Sequence, residues 1–401
     1  MADEARGFES LPLRHKRKDK KVKTKHTYFF ISTLLFWVSL YLYVPILSPY
    51  AENLGSSLQM IGFIVGSYGF TQFILRIPLG IWSDKIQKRK PFIILGFIFS
   101  ILSGLGLAIS KSPTGLLIFR GLSGVSATTW VAFTTLFSSY FDPSRVIASL
   151  SLLNFFTQAG QLVATLLGGF IAQNMGWTFP FYFAALTALL GLIPALFIKE
   201  DSYKPASISI AELLSVGKNT LLLVASLLAI LVQYFSFVTT YGFLPVYATS
   251  IGLSKSALGI LTFLSSVPAA IASLLNSGPF FSKINKKYLL TSGFILAMVS
   301  SLFTPFTKSF LILGILQCLG GIARGINYPV LMGLSIIEIP VEKRATAMGF
   351  FQALYGIGMF GGPFIGGLIG SIWGINSIFI STAALMLFSA ILTLLLVKID
   401  S

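Results

Sequence analysis

Apolar residues along this chain gather into long runs, and the polar stretches between them are mostly short. A helix needs about 20 apolar residues to cross ~30 Å of hydrocarbon. Twelve runs meet that length, at 27–50, 58–80, 92–110, 115–138, 147–173, 177–198, 219–246, 255–278, 288–307, 309–335, 346–371 and 375–397. The pattern predicts an all-α membrane protein with twelve transmembrane helices. The longest internal polar stretch, 199–218, falls midway and divides the runs into sixes. The expected organisation is a tail over 1–26, a six-helix bundle over 27–198, a linker over 199–218 and a second bundle over 219–398.

A shift of 197 to 199 residues lays one half of the sequence on the other. "YAENLGSSLQMIG" falls on "YATSIGLSKSALG", placing Tyr50, Gly55 and Gly62 over Tyr247, Gly252 and Gly259. "GQLVATLLGGFIAQNMG" falls on "GMFGGPFIGGLIGSIWG", matching Gly160, Gly168, Gly169 and Gly176 with Gly358, Gly366, Gly367 and Gly374. The two bundles are therefore expected to be pseudo-symmetric. Internal repeats of this kind build alternating access around a central site.

Composition agrees with the membrane reading. Of 401 residues, 55% are hydrophobic and 10% charged, against about 25% charged in an ordinary soluble domain. Cys318 is the single cysteine, and both histidines, His15 and His26, lie in the tail. That inventory excludes an internal disulfide, a cysteine-based metal site and a Ser-His-Asp triad within the membrane. No enzyme activity, cofactor or metal is expected.

The 29 Lys and Arg residues set an orientation. On the side shared with the N-terminus lie 23 of them, including nine in the tail and Lys85, Lys88, Arg89 and Lys90 in "KIQKRK". Opposite loops hold Lys111, Lys255 and Lys308, and Arg76, Arg120 and Arg324 are embedded. The bias places both termini in the cytoplasm of a multi-pass plasma-membrane protein. The first apolar run is too long for a secretory signal and has no cleavage pattern after it. The basic tail is read as fixing topology and touching anionic lipid, with no nucleic-acid partner.

Three local patterns resemble the major facilitator superfamily, and the likeness covers nearly the whole chain after the tail. "GIWSDKIQKRK" is similar to that family's signature loop through Gly80, Asp84, Lys85, Lys88 and Arg89, with Gln87 where the family usually has glycine. "RGLSGVSA" in the fourth run matches an Arg-x-x-polar-Gly pattern through Arg120, Ser123 and Gly124. "DPSRVIAS" and "PVEKRATAMG" place Arg145 and Arg344 in register. The resemblance implies that Gly80 permits a close approach. It also implies that Asp84 sits near a helix N-terminus of the other half, where a carboxylate gains ~0.3–1 kcal/mol, as a contact made in only one access state. "GIGMFGGPFIGG" in the eleventh run is read as a close-packing face with a bend at Pro363.

In that family helices 1, 4, 7 and 10 border the central cavity. The tenth run presents Gln317, Gly321, Arg324 and Tyr328 along one stripe, with Asn327 beside it. The fourth adds Arg120 and Ser123, the seventh Gln233, Thr240 and Tyr241, and the first Tyr41. Arg76 lies four residues from the end of its run and is expected to snorkel. None of the 13 Asp and Glu residues lies inside a run, so the embedded arginines have no evident counter-ion.

Unpaired guanidiniums favour anions, because Arg forms bidentate hydrogen bonds with carboxylate or phosphate. The expected function is secondary transport of a small organic solute, anionic or anion-bearing, coupled to protons or a counter-solute. Twelve helices suffice for a monomer. One alternative is a proton-coupled multidrug or metabolite efflux antiporter, for which Glu52 is the one candidate proton site. Another is a non-transporting receptor or scaffold, which would call for a sizeable soluble domain that the chain lacks.

Overall fold

A computed structural model describes residues 11–141, 146–200, 215–276, 284–340 and 343–397, with side chains from residue 26 onward except at 146–148 and 345. Arg145 and most of the 199–218 linker lie outside the described residues. Among the described residues the regular elements are all helical, and twelve helices are long and apolar enough to cross a membrane. They are α1 (His26–Asn53), α2 (Leu58–Ile86), α3 (Lys90–Ile109), α4 (Pro113–Ser138), α5 (Ser149–Met175) and α6 (Phe179–Leu196). The second half supplies α7 (Thr220–Ser250), α8 (Lys255–Asn276), α9 (Lys286–Phe306), α10 (Phe310–Ile337), α11 (Thr346–Trp373) and α12 (Ile375–Leu396).

Small polar residues start several of these helices. Ser57 accepts a hydrogen bond from Met60 N at 3.2 Å, Ser112 from Gly115 N at 3.2 Å, and Asn219 from Leu222 N at 2.8 Å. Each satisfies a backbone donor left over in the first helical turn. Matched left-handed glycines turn the chain between spans: Gly55 (φ 82°) with Gly252 (φ 87°), and Gly176 (φ 111°) with Gly374 (φ 83°).

The halves pack alike. In the first, α2 lies on α4, α3 on α6 and α1 on α5; in the second, α8 lies on α10, α9 on α12 and α7 on α11. Tyr50 and Tyr247 occupy equivalent places. Tyr50 Oη donates to the Ser110 carbonyl at 3.2 Å, and Tyr247 Oη to the carbonyls of Pro305 (3.2 Å) and Thr307 (3.0 Å). Each phenol ties the end of its half's first span to a loop of that half.

Across the halves, α2 packs on α11, α5 on α8, and the far end of α1 on the far end of α7. Glycines set the first two approaches. A Cβ on Gly62 would overlap the Pro363 carbonyl, and one on Gly367 would lie 2.6 Å from the Leu58 carbonyl. In the equivalent seam, a Cβ on Gly169 would lie 2.7 Å from the Lys255 carbonyl, and one on Gly259 2.8 Å from that of Thr165. Lys255 N also donates to Gln173 Oε1 at 3.0 Å, while its Nζ lies 4.3 Å from the Trp177 ring centroid. These contacts all sit at the face away from the chain termini, called here the distal face. In the "GIGMFGGPFIGG" stretch, Gly358, Gly362, Gly366 and Gly367 face close neighbours, whereas a Cβ on Gly361 would meet nothing within 4 Å.

Two readings of the signature loop change. Helix α2 continues through Asp84, and the Asp84 carboxylate pairs with Arg89 of its own loop rather than with a helix of the other half. Arg89 also donates from Nη1 to Ser83 Oγ and from its backbone N–H to Glu200 Oε1, so this corner is bound together within the first half. With the halves joined distally, Asp84 takes the nearest guanidinium. Gly80 needs no close approach here, since a Cβ would lie 4.0 Å from Val131 Cγ1. Lys85 and Lys88 are exposed.

Gln87 explains the family's glycine. It is the one non-glycine residue with positive φ among the described residues, at 57°, and it caps the C-terminus of α2. A left-handed side-chain residue costs roughly 1–2 kcal/mol. Gln87→Gly is therefore expected to raise thermal stability in detergent by about 1 kcal/mol, measured by a thermal-shift assay. An unchanged or lowered midpoint would contradict the strain.

Candidate functional site

Three spans lose regular helical geometry near their middles, and each break positions a side chain. The helix of α1 ends at Tyr41 and resumes at Val44, with Pro45 in the new first turn. Span α4 is interrupted at Thr129, between Pro113–Thr128 and Trp130–Ser138. Span α7 widens into a π-turn over Thr239–Phe243. Such interruptions are tolerated inside a membrane where the freed backbone lines protein or a cavity. Tyr41 and Tyr43 flank the break in α1, Trp130 follows that in α4, and Tyr241 lies inside the π-turn of α7.

Arg120 is 3% exposed, yet its named partners are all neutral. Its Nη1 donates to Tyr43 Oη at 3.3 Å and to Ser123 Oγ at 3.3 Å. Its guanidinium carbon lies 4.2 Å from the Tyr68 ring centroid and 5.5 Å from that of Tyr43. Ser123 Oγ in turn donates to the Arg120 carbonyl at 2.6 Å, which fixes the hydroxyl for its acceptor role. Arg120 Nε is buried with no hydrogen-bond partner.

Arg324 is half-buried on α10. It donates from Nη1 to Tyr241 Oη at 3.1 Å, and its guanidinium carbon lies 5.6 Å from that ring's centroid. The two arginines are joined by aromatics. Tyr68 stacks on Phe237 (centroids 6.1 Å apart), Phe237 meets Tyr241 edge-on at 5.3 Å, and Tyr241 meets Tyr41 edge-on at 6.0 Å. Tyr41 continues to Trp37 at 5.8 Å and Trp37 to Trp130 at 5.2 Å. Tyr41 lies within electrostatic reach of both Arg120 and Arg324. Among the described residues, neither arginine has a carboxylate within 4 Å.

Of the residues expected to line a site, Arg120, Ser123, Tyr41, Tyr241 and Arg324 form this cluster. Gln317 adjoins it, since its Oε1 accepts from Thr240 Oγ1 at 3.2 Å. Gln233 is half-buried one helical turn before Phe237, on the same face of α7. Asn327 does not join. It points into the α9 contact, where a Cβ on Gly293 would collide with it, and its amide there donates to the Leu290 carbonyl (3.1 Å) and accepts from Phe294 N (3.3 Å). Gly321 also leaves the stripe, because a Cβ there would overlap the Ser265 carbonyl of α8. Tyr328 turns to α11, 5.9 Å from Tyr355 and 6.3 Å from Phe351 between centroids. Glu52 is exposed at the distal end of α1, away from the cluster.

Arg76 is the largest correction. It is 5% exposed and bound across the halves, donating from Nη1 to Tyr355 Oη at 2.9 Å and to the Gln352 carbonyl at 3.3 Å. Its Nη2 donates to Gln72 Oε1 at 3.0 Å. The snorkelling expectation failed because α2 runs to Ile86, so Arg76 is ten residues from the helix end rather than four. The regular four-residue spacing of Tyr68, Gln72 and Arg76 was the available signal, a polar stripe on an otherwise apolar helix.

Comparisons with known proteins bear on this arrangement. The family model described as Major Facilitator Superfamily matches residues 29–254 and again 226–401. An uncharacterized MFS-type transporter of Methanocaldococcus jannaschii is 25% identical, over 84% of this chain and 88% of its own. A multi-drug resistance efflux pump of Streptococcus pneumoniae is 26% identical, over 89% of this chain and 92% of its own. Among solved structures, a bacterial homolog of the human lysosomal transporter Spinster, inward-facing and unoccupied, superposes with a TM-score of 0.76. It shares 16% identity over 96% of this chain and 97% of that one, a likeness of fold.

Proposed function

We propose that this chain, which belongs to the major facilitator superfamily and is a membrane transporter of it, carries an amphiphilic organic anion. The anion is bound between Arg120 and Arg324 while the two halves rock about it. The observation that carries this reading is the neutral company of both guanidiniums. Tyr43, Ser123 and Tyr241 orient them without neutralising them. A carboxylate or sulfonate supplies the missing charge through charge-assisted hydrogen bonds. The aromatic wall from Trp130 to Tyr68 takes the apolar body of the solute, as in most small-molecule sites.

The excess of Lys and Arg on the termini side makes that face cytoplasmic. The distal seal between α2 and α11, and between α5 and α8, then marks a state sealed on the outside and presenting its centre to the cytoplasm. Rocking the halves would exchange this seal for one on the termini side, where Asp84 could leave Arg89 for the start of α11. The test is a thermal-shift screen of the purified protein followed by flux into proteoliposomes. Aromatic carboxylates and sulfonates are expected to stabilise it and be transported, and lipophilic cations and neutral sugars are not. Stabilisation by cations alone would overturn the assignment.

A second reading, proton-coupled efflux of lipophilic drugs, draws support from what the pneumococcal relative is named for. It needs a carboxylate that takes up a proton in the transport path. Glu52 is exposed at the distal end of α1, so Glu52→Gln is expected to leave transport within about twofold of wild type, since surface charges contribute little. Loss of pH-driven flux in that variant would favour the second reading.

A further inference from the structure

Resting on the reading above, we infer that Arg76 is a third anion-binding guanidinium, so that the preferred solute carries two anionic groups rather than one. Arg76 belongs to α2, Arg120 to α4 and Arg324 to α10; Arg76 follows Tyr68 and Gln72 at four-residue spacing along α2, and Arg120 lies over the Tyr68 ring, 4.2 Å from its centroid. Arg76 Nη2 donates to Gln72 Oε1, Gln72 Nε2 donates to the Tyr68 carbonyl at 3.3 Å, and the Tyr68 ring leads through Phe237 to Tyr241 and so to Arg324. The hydrogen-bond partners named for Arg76 are a carbonyl, a phenol and an amide, all uncharged. Its Nε is buried without a partner, the same condition as Arg120 Nε. Tyr328 and Tyr355, which border it on α10 and α11, are half-buried, so the cluster reaches open space along its tyrosine edge.

A structural staple between α2 and α11 would need no permanent charge. A neutral donor such as glutamine could serve there, and a buried charge without a counter-ion is costly. A guanidinium stays charged in proteins, and the neutral partners of Arg76 hold it in place without compensating it. Three positive groups with no acid among the described residues within ion-pair distance form a site matched to more than one negative charge. Because two of the hydrogen bonds of Arg76 end on α11, a solute group reaching it would also touch the seam between the halves.

The experiment compares a monocarboxylate with a dicarboxylate of the same ring, benzoate against phthalate and isophthalate. Each is read as ligand-induced thermal stabilisation and as competition for flux in wild type, Arg76→Gln, Arg76→Lys and Arg324→Ala. Wild type is expected to prefer the better dianion by about tenfold or more, a preference that falls about tenfold in Arg76→Gln and is partly restored in Arg76→Lys. If Arg76→Gln folds and keeps the wild-type ratio, or lowers both solutes equally, Arg76 is a structural staple and the inference is wrong. If Arg76→Gln does not yield a monodisperse protein, Arg76→Lys decides by the same ratio, and a ratio unchanged there overturns the inference. Anion binding that survives Arg324→Ala would instead defeat the underlying assignment of the site.

Discussion

Replacing Arg324 with alanine is expected to reduce solute flux to background while leaving a folded, membrane-inserted protein. Charge-assisted hydrogen bonds contribute about 1.5–3 kcal/mol each. Losing one bidentate contact to an anion therefore lowers affinity by at least about one to two orders of magnitude. The fold should tolerate the change. Arg324 is half-buried, and its one named side-chain bond is to Tyr241. Removing a charge that has no counter-ion also relieves an insertion cost of ~2.5–3.5 kcal/mol on translocon scales. The measurement is proteoliposome flux alongside size-exclusion chromatography and thermal stability. Arg324→Lys should fall between, since a point charge binds without the bidentate geometry. Flux like wild type in a well-folded Arg324→Ala protein would remove the anion argument.

A leucine at Gly62 is expected to break the distal seal. A Cβ on Gly62 would meet the Pro363 carbonyl and the Gly367 Cα, both on α11 across the seam. Neither neighbour is the flexible end of a side chain, so the helices themselves must part. Overpacking at such a contact costs about 1–3 kcal/mol, which shifts a two-state equilibrium by roughly five- to 150-fold. The state sealed distally loses population and the opposite state gains it. The readout is thiol labelling from the distal face at Leu58→Cys, a position packed on Gly367 and Gly370, in a background with Cys318→Ser. Labelling should rise about tenfold or more in Gly62→Leu, with flux reduced. Unchanged labelling would mean that these glycines do not govern the seal.

What could be read in advance follows from the range of each interaction. Span count came from run length alone, because the bilayer demands about 20 apolar residues whatever surrounds them. The repeat was legible through glycines, and the structure shows why: Gly62 and Gly367 hold one seam, while Gly169 and Gly259 hold its counterpart. Side-chain direction was harder. The stripe of Gln317, Gly321, Arg324, Asn327 and Tyr328 covers enough of the helix circumference to meet α7, α8, α9 and α11 at once. Only the packing of those neighbours separates Arg324, which meets Tyr241, from Asn327, which fills a gap beside Gly293.

By itself, then, the chain determined a twelve-span, two-fold repeated membrane protein with embedded arginines and no acid inside its apolar runs. Those are properties of composition and of spacing along one dimension. Tertiary structure decided which arginines gather, and it brought in Tyr43, Tyr68 and Tyr355 from three different helices. It also moved Arg76 from an apparent helix end to the seam between the halves, because α2 runs on to Ile86 and brings Arg76 against Tyr355 and Gln352 of α11. A charge is visible in a sequence, but its partners are set by distances that close only when the helices pack.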